Sequence, residues 1–131
     1  MGSEKVICYT LRMIRSFKDL SVYRSSKELF RDMFKLTQTF PRNGAYLANQ
    51  SLRAANSIHA NIAEGFGRSK AEFCSYLTRA LGSASEMVSH LEDAEIAHYA
   101  DTKQLQEQYI ILGKQIYRLR ERWKNTPNSS T

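Results

Sequence analysis

The sequence predicts an all-α fold, an antiparallel up-down-up-down four-helix bundle, and three observations support it. Apolar residues recur at steps of three and four in four separate stretches, which is the helical period. Only two prolines and six glycines occur in 131 residues, so long helices are permitted almost everywhere. Short connections join the four stretches, which places consecutive helices side by side and in opposite directions.

The first two helices have clear ends. The first is expected over about residues 20–39, because Pro41 lacks an amide donor and restricts the residue before it. The second is expected over about residues 45–64, with an apolar face rich in Ala and Ser that lets neighbouring backbones approach closely. Gly65 and Gly67 are expected to end this helix with a left-handed cap.

The third and fourth helices each follow a capping signal. Ser69 and Glu72 form a capping box, in which each side chain satisfies an otherwise unpaired amide at the start of the third helix. Asp101 and Gln104 predict a similar start for the fourth. The apolar residues of the fourth helix then follow the alternating four-three spacing of a coiled-coil seam: Leu105, Tyr109, Leu112, Ile116, Leu119 and Trp123.

The predicted organisation is one domain over residues 17–124, between an N-terminal extension (1–16) and a polar tail (125–131). A chain of this length fits one domain with one core. The extension could be a short strand, a segment packed on a neighbour or frayed chain, and its first residues equally fit a tag. The tail is expected to be disordered. Without a signal-peptide pattern or an apolar run of roughly 18 residues, a cytoplasmic location is expected.

The net charge of +6 is unevenly distributed. Residues 69–100 carry a net charge of −3, and no Lys or Arg lies between Leu81 and Thr102. A basic body with one acidic segment could attract a polyanion. It could equally let one copy of the chain dock against another.

Two groups of cations, together with Arg53, Arg68 and Lys70, are candidates for contact with nucleic acid. Steps of three, four and four align the first group on one face of the first helix: Arg24, Lys27, Arg31 and Lys35. The second group crowds the end of the fourth helix: Arg118, Arg120, Arg122 and Lys124. Such rows are usually solvated surface, but a ring of identical subunits would repeat them and favour a phosphate backbone. Tyr9, Tyr23 and Tyr46 could stack on bases, although nothing in the sequence places them beside the basic row.

Polar residues on the second helix form a second candidate feature: Asn56, Ser57, Asn61 and Glu64. The last three lie on one stripe, and their expected partners are Ser83 and Glu86 on the third helix, with Arg53 and Arg68. A buried polar group without a partner costs about 1–3 kcal/mol, so a stripe of this kind can fix the register of two helices. The alternative is a site at a subunit interface or a phosphate contact.

The loop over residues 65–70 is a candidate anion site. It combines two glycines with Arg68, Lys70 and a helix N-terminus, where amides and the helix dipole favour an anion. It lacks the spacing of a Walker A loop. The alternative is a plain turn between the cap of one helix and the cap of the next.

Metal, cofactor and catalytic roles find little support. Glu95 and His98 have the Glu-x-x-His spacing of di-iron bundles, but that centre needs a second copy, which the sequence lacks. We therefore expect no metal, no cofactor and no enzyme activity, with the three histidines at the surface or in caps: His59, His90 and His98. The two cysteines, Cys8 and Cys74, are expected to be free thiols.

Several motifs, in order and spacing, resemble the four-helix-bundle proteins encoded in intervening sequences of 23S rRNA genes. They are Phe17-Lys18-Asp19-Leu20-Ser21-Val22, Phe40-Pro41, Gln50-Ser51-Leu52-Arg53-Ala54-Ala55-Asn56-Ser57-Ile58, Asn61-Ile62-Ala63-Glu64-Gly65 with Arg68, and Gly82-Ser83 with Glu86. The resemblance covers roughly residues 17–123. It departs at Asn43-Gly44, where an acidic residue usually follows Phe-Pro.

The resemblance implies a left-handed bundle that assembles as a homopentamer and has a poorly characterised role tied to nucleic acid. Relatives of similar fold are accessory subunits of the reverse transcriptases of diversity-generating retroelements. Apolar residues expected beside or outside the main seams also favour an oligomer: Tyr23, Phe30, Phe34, Phe66, Tyr76 and Tyr117. The predicted function is a non-catalytic homo-oligomer that binds RNA or DNA; the alternative is a protein-interaction scaffold or accessory subunit for a polymerase-type partner.

Overall fold

The computed structural model describes residues 14–127, and every regular element in this range is helical. We number the helices α1 (Ser21–Thr37), α2 (Ala45–Gly65), α3 (Lys70–Ile96) and α4 (Lys103–Asn125). Single 3₁₀ turns precede α1 and α2. The predicted all-α fold with four helices is confirmed. The expectations for residues 1–13 and 128–131, including Tyr9 and Cys8, lie outside the described residues.

The four helices surround one core. Helix α3 packs extensively on both α2 and α4, whereas α1 packs on α2 and makes its smaller contact with α4. The core side chains recur at the steps of three and four that the sequence predicts. The most completely buried large side chains come from all four helices: Met33, Ile58, Ile62, Phe73, Leu77, Met87, Leu91, Tyr109, Leu112 and Ile116.

The two glycines at the turn between α2 and α3 have different roles. Gly67 has a φ of +87°, the left-handed conformation expected of a cap glycine. Gly65 instead remains in the last turn of α2, where a Cβ atom would lie 2.4 Å from Cβ of Tyr76. Gly65 is therefore required for the close approach of α3, and its predicted role in a left-handed cap is wrong.

The turn between α3 and α4 corrects the predicted start of α4. The N-cap is Thr102, and its hydroxyl donates to the carbonyl of Leu91 at 2.7 Å instead of capping its own helix. The amide of Thr102 donates to the carboxylate of Glu95. Asp101 accepts only a 3.3 Å bond from the amide of Lys103. The capping box predicted from Asp101 and Gln104 is absent from the described residues, because α3 supplies the acceptor.

An aromatic cluster closes the end of the bundle where α2 meets α3 and α4. Phe66, Phe73 and Trp123 contact one another edge to face, with ring centroids 4.8 to 6.1 Å apart. Phe66, expected beside or outside the main seams, packs against the core. The ring follows the end of α2 and folds back onto the core.

One core residue carries an unpaired polar atom. Tyr109 is 1% exposed, and its hydroxyl has no hydrogen-bond partner among residues 14–127. Burial, together with the nearby charge of Asp32, raises the pKa of this phenol. The hydroxyl is therefore held neutral in an apolar setting, which carries a free-energy penalty.

The apolar residues expected beside or outside the main seams differ in solvent exposure. Phe34 and Tyr117 are about half exposed. Tyr23 and Phe30 pack partly against the core, and Tyr76 is half-buried. The other large apolar residues at the surface of the described chain are Tyr46, Ile96, Ile110 and Ile111. In residues 14–127 no helix has the length and apolar character that crossing a membrane requires.

Candidate nucleic-acid interface

The first helix presents a row of four exposed cations, which we call the α1 basic row: Arg24, Lys27, Arg31 and Lys35. They lie on the face of α1 that is turned away from the buried residues, as their spacing predicts. The guanidinium of Arg24 donates to the carbonyl of Lys18 at 2.9 Å, and the ammonium of Lys27 lies 5.6 Å from the ring centroid of Tyr23. Neither contact neutralises a charge, so the row keeps its positive charge.

The cations near the end of α4 are used differently. Arg118 and Arg122 are exposed, whereas Arg120 is half-buried and donates to the hydroxyl of Thr78 at 3.0 Å. Arg120 also pairs with Glu121 at 3.5 Å and lies over the ring of Tyr117. Arg120 therefore joins α4 to α3, whereas Arg118, Arg122 and Lys124 remain exposed.

The predicted anion site in the α2–α3 turn is already occupied by protein groups. Arg68 lies 3.9 Å from the carboxylate of Glu64 and 3.5 Å from that of Glu72. The ammonium of Lys70 donates to the carbonyl of Thr126. A phosphate contact at Arg68 and Lys70 stays a prediction, and a phosphate would have to compete with these groups.

The predicted polar stripe is only partly assembled. The hydroxyl of Ser83 donates to that of Ser57 at 2.9 Å, and the amide of Asn61 donates to the same Ser57 hydroxyl at 3.0 Å. The bond between Ser57 and Ser83 joins α2 to α3. Glu64 accepts a 3.4 Å bond from the hydroxyl of Tyr76. Glu86 pairs with His90 on its own helix and thus lies apart from the stripe.

His59 is buried, which contradicts the expectation of a surface or capping residue. Its Nδ1 lies 3.0 Å from the hydroxyl of Ser26 on α1, and its Nε2 lies 3.2 Å from the amide oxygen of Asn56. Since an amide oxygen only accepts, Nε2 carries the proton and Nδ1 accepts from Ser26. Burial lowers the pKa of His59 to about 4, with a smaller effect from the charge of Lys27. The ring is therefore a neutral link between α1 and α2.

An open depression lies on the outer side of the α1–α2 contact, and we call it the α1–α2 groove. Sequence reasoning did not identify it. Its lining combines apolar and polar side chains: Phe30, Tyr46, Asn49, Gln50, Leu52, Arg53 and Asn56. The α2 members recur at steps of three and four, so their shared face was readable from the sequence. Their proximity to Phe30 could not be predicted from the sequence, because it depends on how α1 packs against α2.

The groove brings together residues that the sequence left separate. Tyr46, one of the three tyrosines considered for base stacking, shares its lining with Arg53. Tyr23 lies beneath Lys27 of the α1 basic row and edge-on to His59. Asn56, one of the polar residues singled out on the second helix, links His59 to the groove.

The Glu-x-x-His pattern at the end of α3 has a structural explanation. Glu95 accepts a hydrogen bond from the amide of Thr102, the residue before α4, and His98 has a φ of 60° in the turn after α3. Within the described range, no group of three or more His, Cys, Asp or Glu side chains is arranged to hold a metal ion. Cys74 is a half-buried free thiol beside the carbonyl of Arg120.

Comparison with known protein families identifies the relationship. The family model described as 23S rRNA-intervening sequence protein matches residues 18–121, which include all four helices except the last few residues of α4. The chain belongs to this family. The match confirms the family that the sequence motifs indicated. A comparison with curated proteins gives no match.

Proposed function

We propose that this member of the 23S rRNA-intervening sequence protein family is a non-catalytic homo-oligomer that binds RNA or DNA through the α1 basic row. The observation that carries the proposal is the exposure of all four cations on one helix face, with no carboxylate paired to them in the described structure. Cations aligned in this way can replace the counterions of a phosphate backbone. Shape and charge, rather than base sequence, would then guide binding.

The proposal includes an antiparallel, left-handed bundle assembled as a ring, most simply the pentamer implied by the family resemblance. Contacts between Ser57 and Ser83 and between Glu64 and Tyr76 support antiparallel pairing of α2 and α3, because one residue number rises as the other falls. Exposed Phe34 and Tyr117 support self-association. A cytoplasmic location is part of the same proposal.

The absence of catalysis is also proposed. Ser26, His59 and Asn56 form a hydrogen-bonded series that resembles a nucleophile, a base and an orienting group. Ser26 is 1% exposed and His59 is 4% exposed, so the hydroxyl is out of reach of a substrate. The series supports a structural role in the contact between α1 and α2.

The test is a titration of a labelled RNA hairpin and a labelled DNA duplex, followed by fluorescence anisotropy at low and moderate salt. We expect binding at low salt that weakens steeply as salt rises. Replacing Arg24, Lys27, Arg31 and Lys35 with Gln should abolish it. The matched control replaces two other exposed arginines and two other exposed lysines with Gln: Arg42, Arg79, Lys103 and Lys114.

Equal losses in both quadruple variants would contradict a specific role for the α1 basic row. A wild-type protein that binds neither probe at low salt would contradict nucleic-acid binding altogether. Light scattering provides the test of assembly, since a particle of about 15 kDa would be a monomer and would refute the ring.

A second candidate function is a scaffold or accessory subunit for a polymerase-type protein partner. The observation that favours it is the exposed apolar surface of α4, with Ile110, Ile111 and Tyr117 at 42–50% exposure. Surfaces of this kind serve protein contacts more often than phosphate contacts. Partners that survive nuclease treatment in a pull-down would favour the scaffold, and partners lost with the nucleic acid would favour the first proposal.

A further inference from the structure

The α1–α2 groove contains polar groups that the fold does not use. Asn49, Gln50 and Arg53 make no side-chain hydrogen bond and no ion pair with another residue in the described part of the chain. By contrast, Arg68, Lys70 and Arg120 all contact other residues of the bundle. The donors and acceptors of the groove are thus available to a ligand.

The chemistry of these groups matches an unstacked nucleobase. A side-chain amide offers two donors and one acceptor in a plane, the complement of a base edge. Asn49 and Gln50 are consecutive on α2, and Arg53 lies about one turn further along the helix. Single-stranded nucleic acid presents such free edges, whereas a paired duplex does not.

An aromatic ring stands at the same place. Tyr46 is 77% exposed, the highest value among the large apolar and aromatic residues of the described chain. It lies about one turn before Asn49 and Gln50 on α2 and shares the groove lining with them. Stacking on such a ring holds a base without selecting its identity. Phe30 and Leu52 form the apolar part of the lining.

The groove also lies beside the α1 basic row. Lys27 lies over the ring of Tyr23, Tyr23 is edge-on to His59, and His59 is bonded to Asn56 in the groove lining. A strand whose phosphates follow the row could therefore place a base in the groove. The volume of the depression, about 530 Å³, lies within the range of small-ligand sites.

We propose that the α1–α2 groove binds an unstacked base of single-stranded RNA or DNA. Tyr46 stacks on the base, Asn49 and Gln50 bond to its edge, and Arg53 contacts the adjoining phosphate. This inference rests on the proposed nucleic-acid binding and adds a preference for single strands over duplexes. The groove gives that preference a location separate from the α1 basic row.

The experiment compares a labelled twelve-nucleotide oligouridine with a duplex of the same length at low salt. Tyr46→Ala should weaken binding of the single strand about tenfold, which corresponds to the loss of one stacked base, and change duplex binding less than twofold. The matched control is Ile96→Ala, at a side chain 76% exposed at the end of α3. A second variant, Asn49→Ala with Gln50→Ala, should also weaken binding of the single strand more than binding of the duplex. Its control is Gln104→Ala with Gln115→Ala, at two exposed glutamines of α4.

Photo-crosslinking provides an independent measurement. Oligouridine carrying 5-iodouracil should crosslink to Tyr46 when mapped by mass spectrometry. Circular dichroism and light scattering on each variant report the fold and the assembly. Tyr46 lies at the surface, so its replacement should leave the helical content unchanged.

The outcomes separate the two proposals. A wild-type protein that binds the duplex but not the single strand overturns the groove assignment and leaves the α1 basic row standing. Equal weakening of both probes by Tyr46→Ala, or no weakening of either, also overturns it. A smaller particle for Tyr46→Ala would show that a second copy of the chain covers the groove, which equally overturns the assignment. Loss of binding to both probes in the wild type contradicts nucleic-acid binding itself.

Discussion

The α2–α3 interface and the α1–α2 interface are built in opposite ways. Between α2 and α3, Gly65 lets Tyr76 approach to contact distance, and Ser57 meets Ser83 through a direct hydrogen bond. Between α1 and α2, the large rings of Tyr23 and Phe30 surround His59. The first interface brings the backbone of α2 close to Tyr76 on α3, whereas the second is filled by large rings and has a groove on its outer side.

This difference separates groups needed for folding from groups free for binding. Small residues allow close helix packing, so little room remains for a ligand between α2 and α3. On the groove side of the α1–α2 contact, Asn49, Gln50 and Arg53 have no partner in the described structure. Substitutions at the first interface should therefore change stability, and substitutions on the groove side should change binding.

The largest expected effect is at the aromatic cluster that ends the α2–α3 interface. Phe73→Ala should lower the free energy of unfolding by about 3–5 kcal/mol, because it leaves a cavity beside Trp123. Tyr46→Ala, at a 77% exposed ring on the groove side of α2, should change it by less than about 0.5 kcal/mol. Urea unfolding followed by circular dichroism measures both, and similar losses would contradict the distinction between the two regions.

The α1–α2 interface should be sensitive to acid through His59. Its pKa in the folded protein, about 4, lies below the ordinary value of 6.5, so the unfolded chain takes up the proton first as the pH falls. The stability contributed by the neutral ring is complete above pH 6.5 and is lost progressively towards pH 4. The loss should reach about 3 kcal/mol, at about 1.4 kcal/mol per pKa unit.

Urea unfolding at several pH values between 7 and 4 measures this dependence. His59→Gln should be less stable at pH 7 but should show a flatter profile. His98→Gln, at an exposed histidine, is the control and should retain the wild-type profile. An unchanged slope in His59→Gln would show that other groups cause the acid sensitivity.

Two glycine substitutions should reveal the close approach of α2 and α3 through their opposite effects on stability. Gly65→Ala should lower stability by about 1–3 kcal/mol, since the new Cβ would overlap Cβ of Tyr76. Gly82→Ala, within α3, meets no atom within 4 Å and should raise stability by about 0.5–1 kcal/mol through helix propensity. Thermal unfolding compares them, and a stabilising Gly65→Ala would refute the tight interface.

The smallest predicted effect concerns the unpaired hydroxyl in the core. Tyr109→Phe removes that hydroxyl and retains the ring, so stability should rise by about 1 kcal/mol. Tyr99→Phe is the comparison, because the Tyr99 hydroxyl donates to the carbonyl of Asn43 at 3.3 Å. Chemical denaturation of the two variants gives the difference. A loss of stability in Tyr109→Phe would show that the hydroxyl has a partner in solution.

The sequence predicted those parts of the fold that depend on local chemistry. Helix α2 was expected over residues 45–64 and spans Ala45–Gly65. The predicted cap at Ser69 is present, because its hydroxyl accepts a hydrogen bond from the amide of Glu72. The predicted start of α4 was wrong because Glu95, seven residues before Thr102, supplies the acceptor. Local spacing carries no information about such an interaction from the preceding helix.

The candidate site could be predicted only in part for the same reason. The α1 basic row follows directly from helical spacing, and its four members are exposed as that spacing implies. The burial of His59 and the groove around Tyr46 depend on how α1 packs against α2. The spacing of His59 and Tyr46 along α2 does not indicate which residues of α1 they contact.

Trp123 is the only tryptophan in the chain, and it lies in the aromatic cluster with Phe66 and Phe73. Its fluorescence emission therefore reports on one end of the bundle, where the α2–α3 turn meets the last turns of α4. If that end opens before the rest unfolds, the fluorescence change will precede the loss of helical signal. The protein thus carries a built-in optical probe of local fraying, independent of any ligand or label.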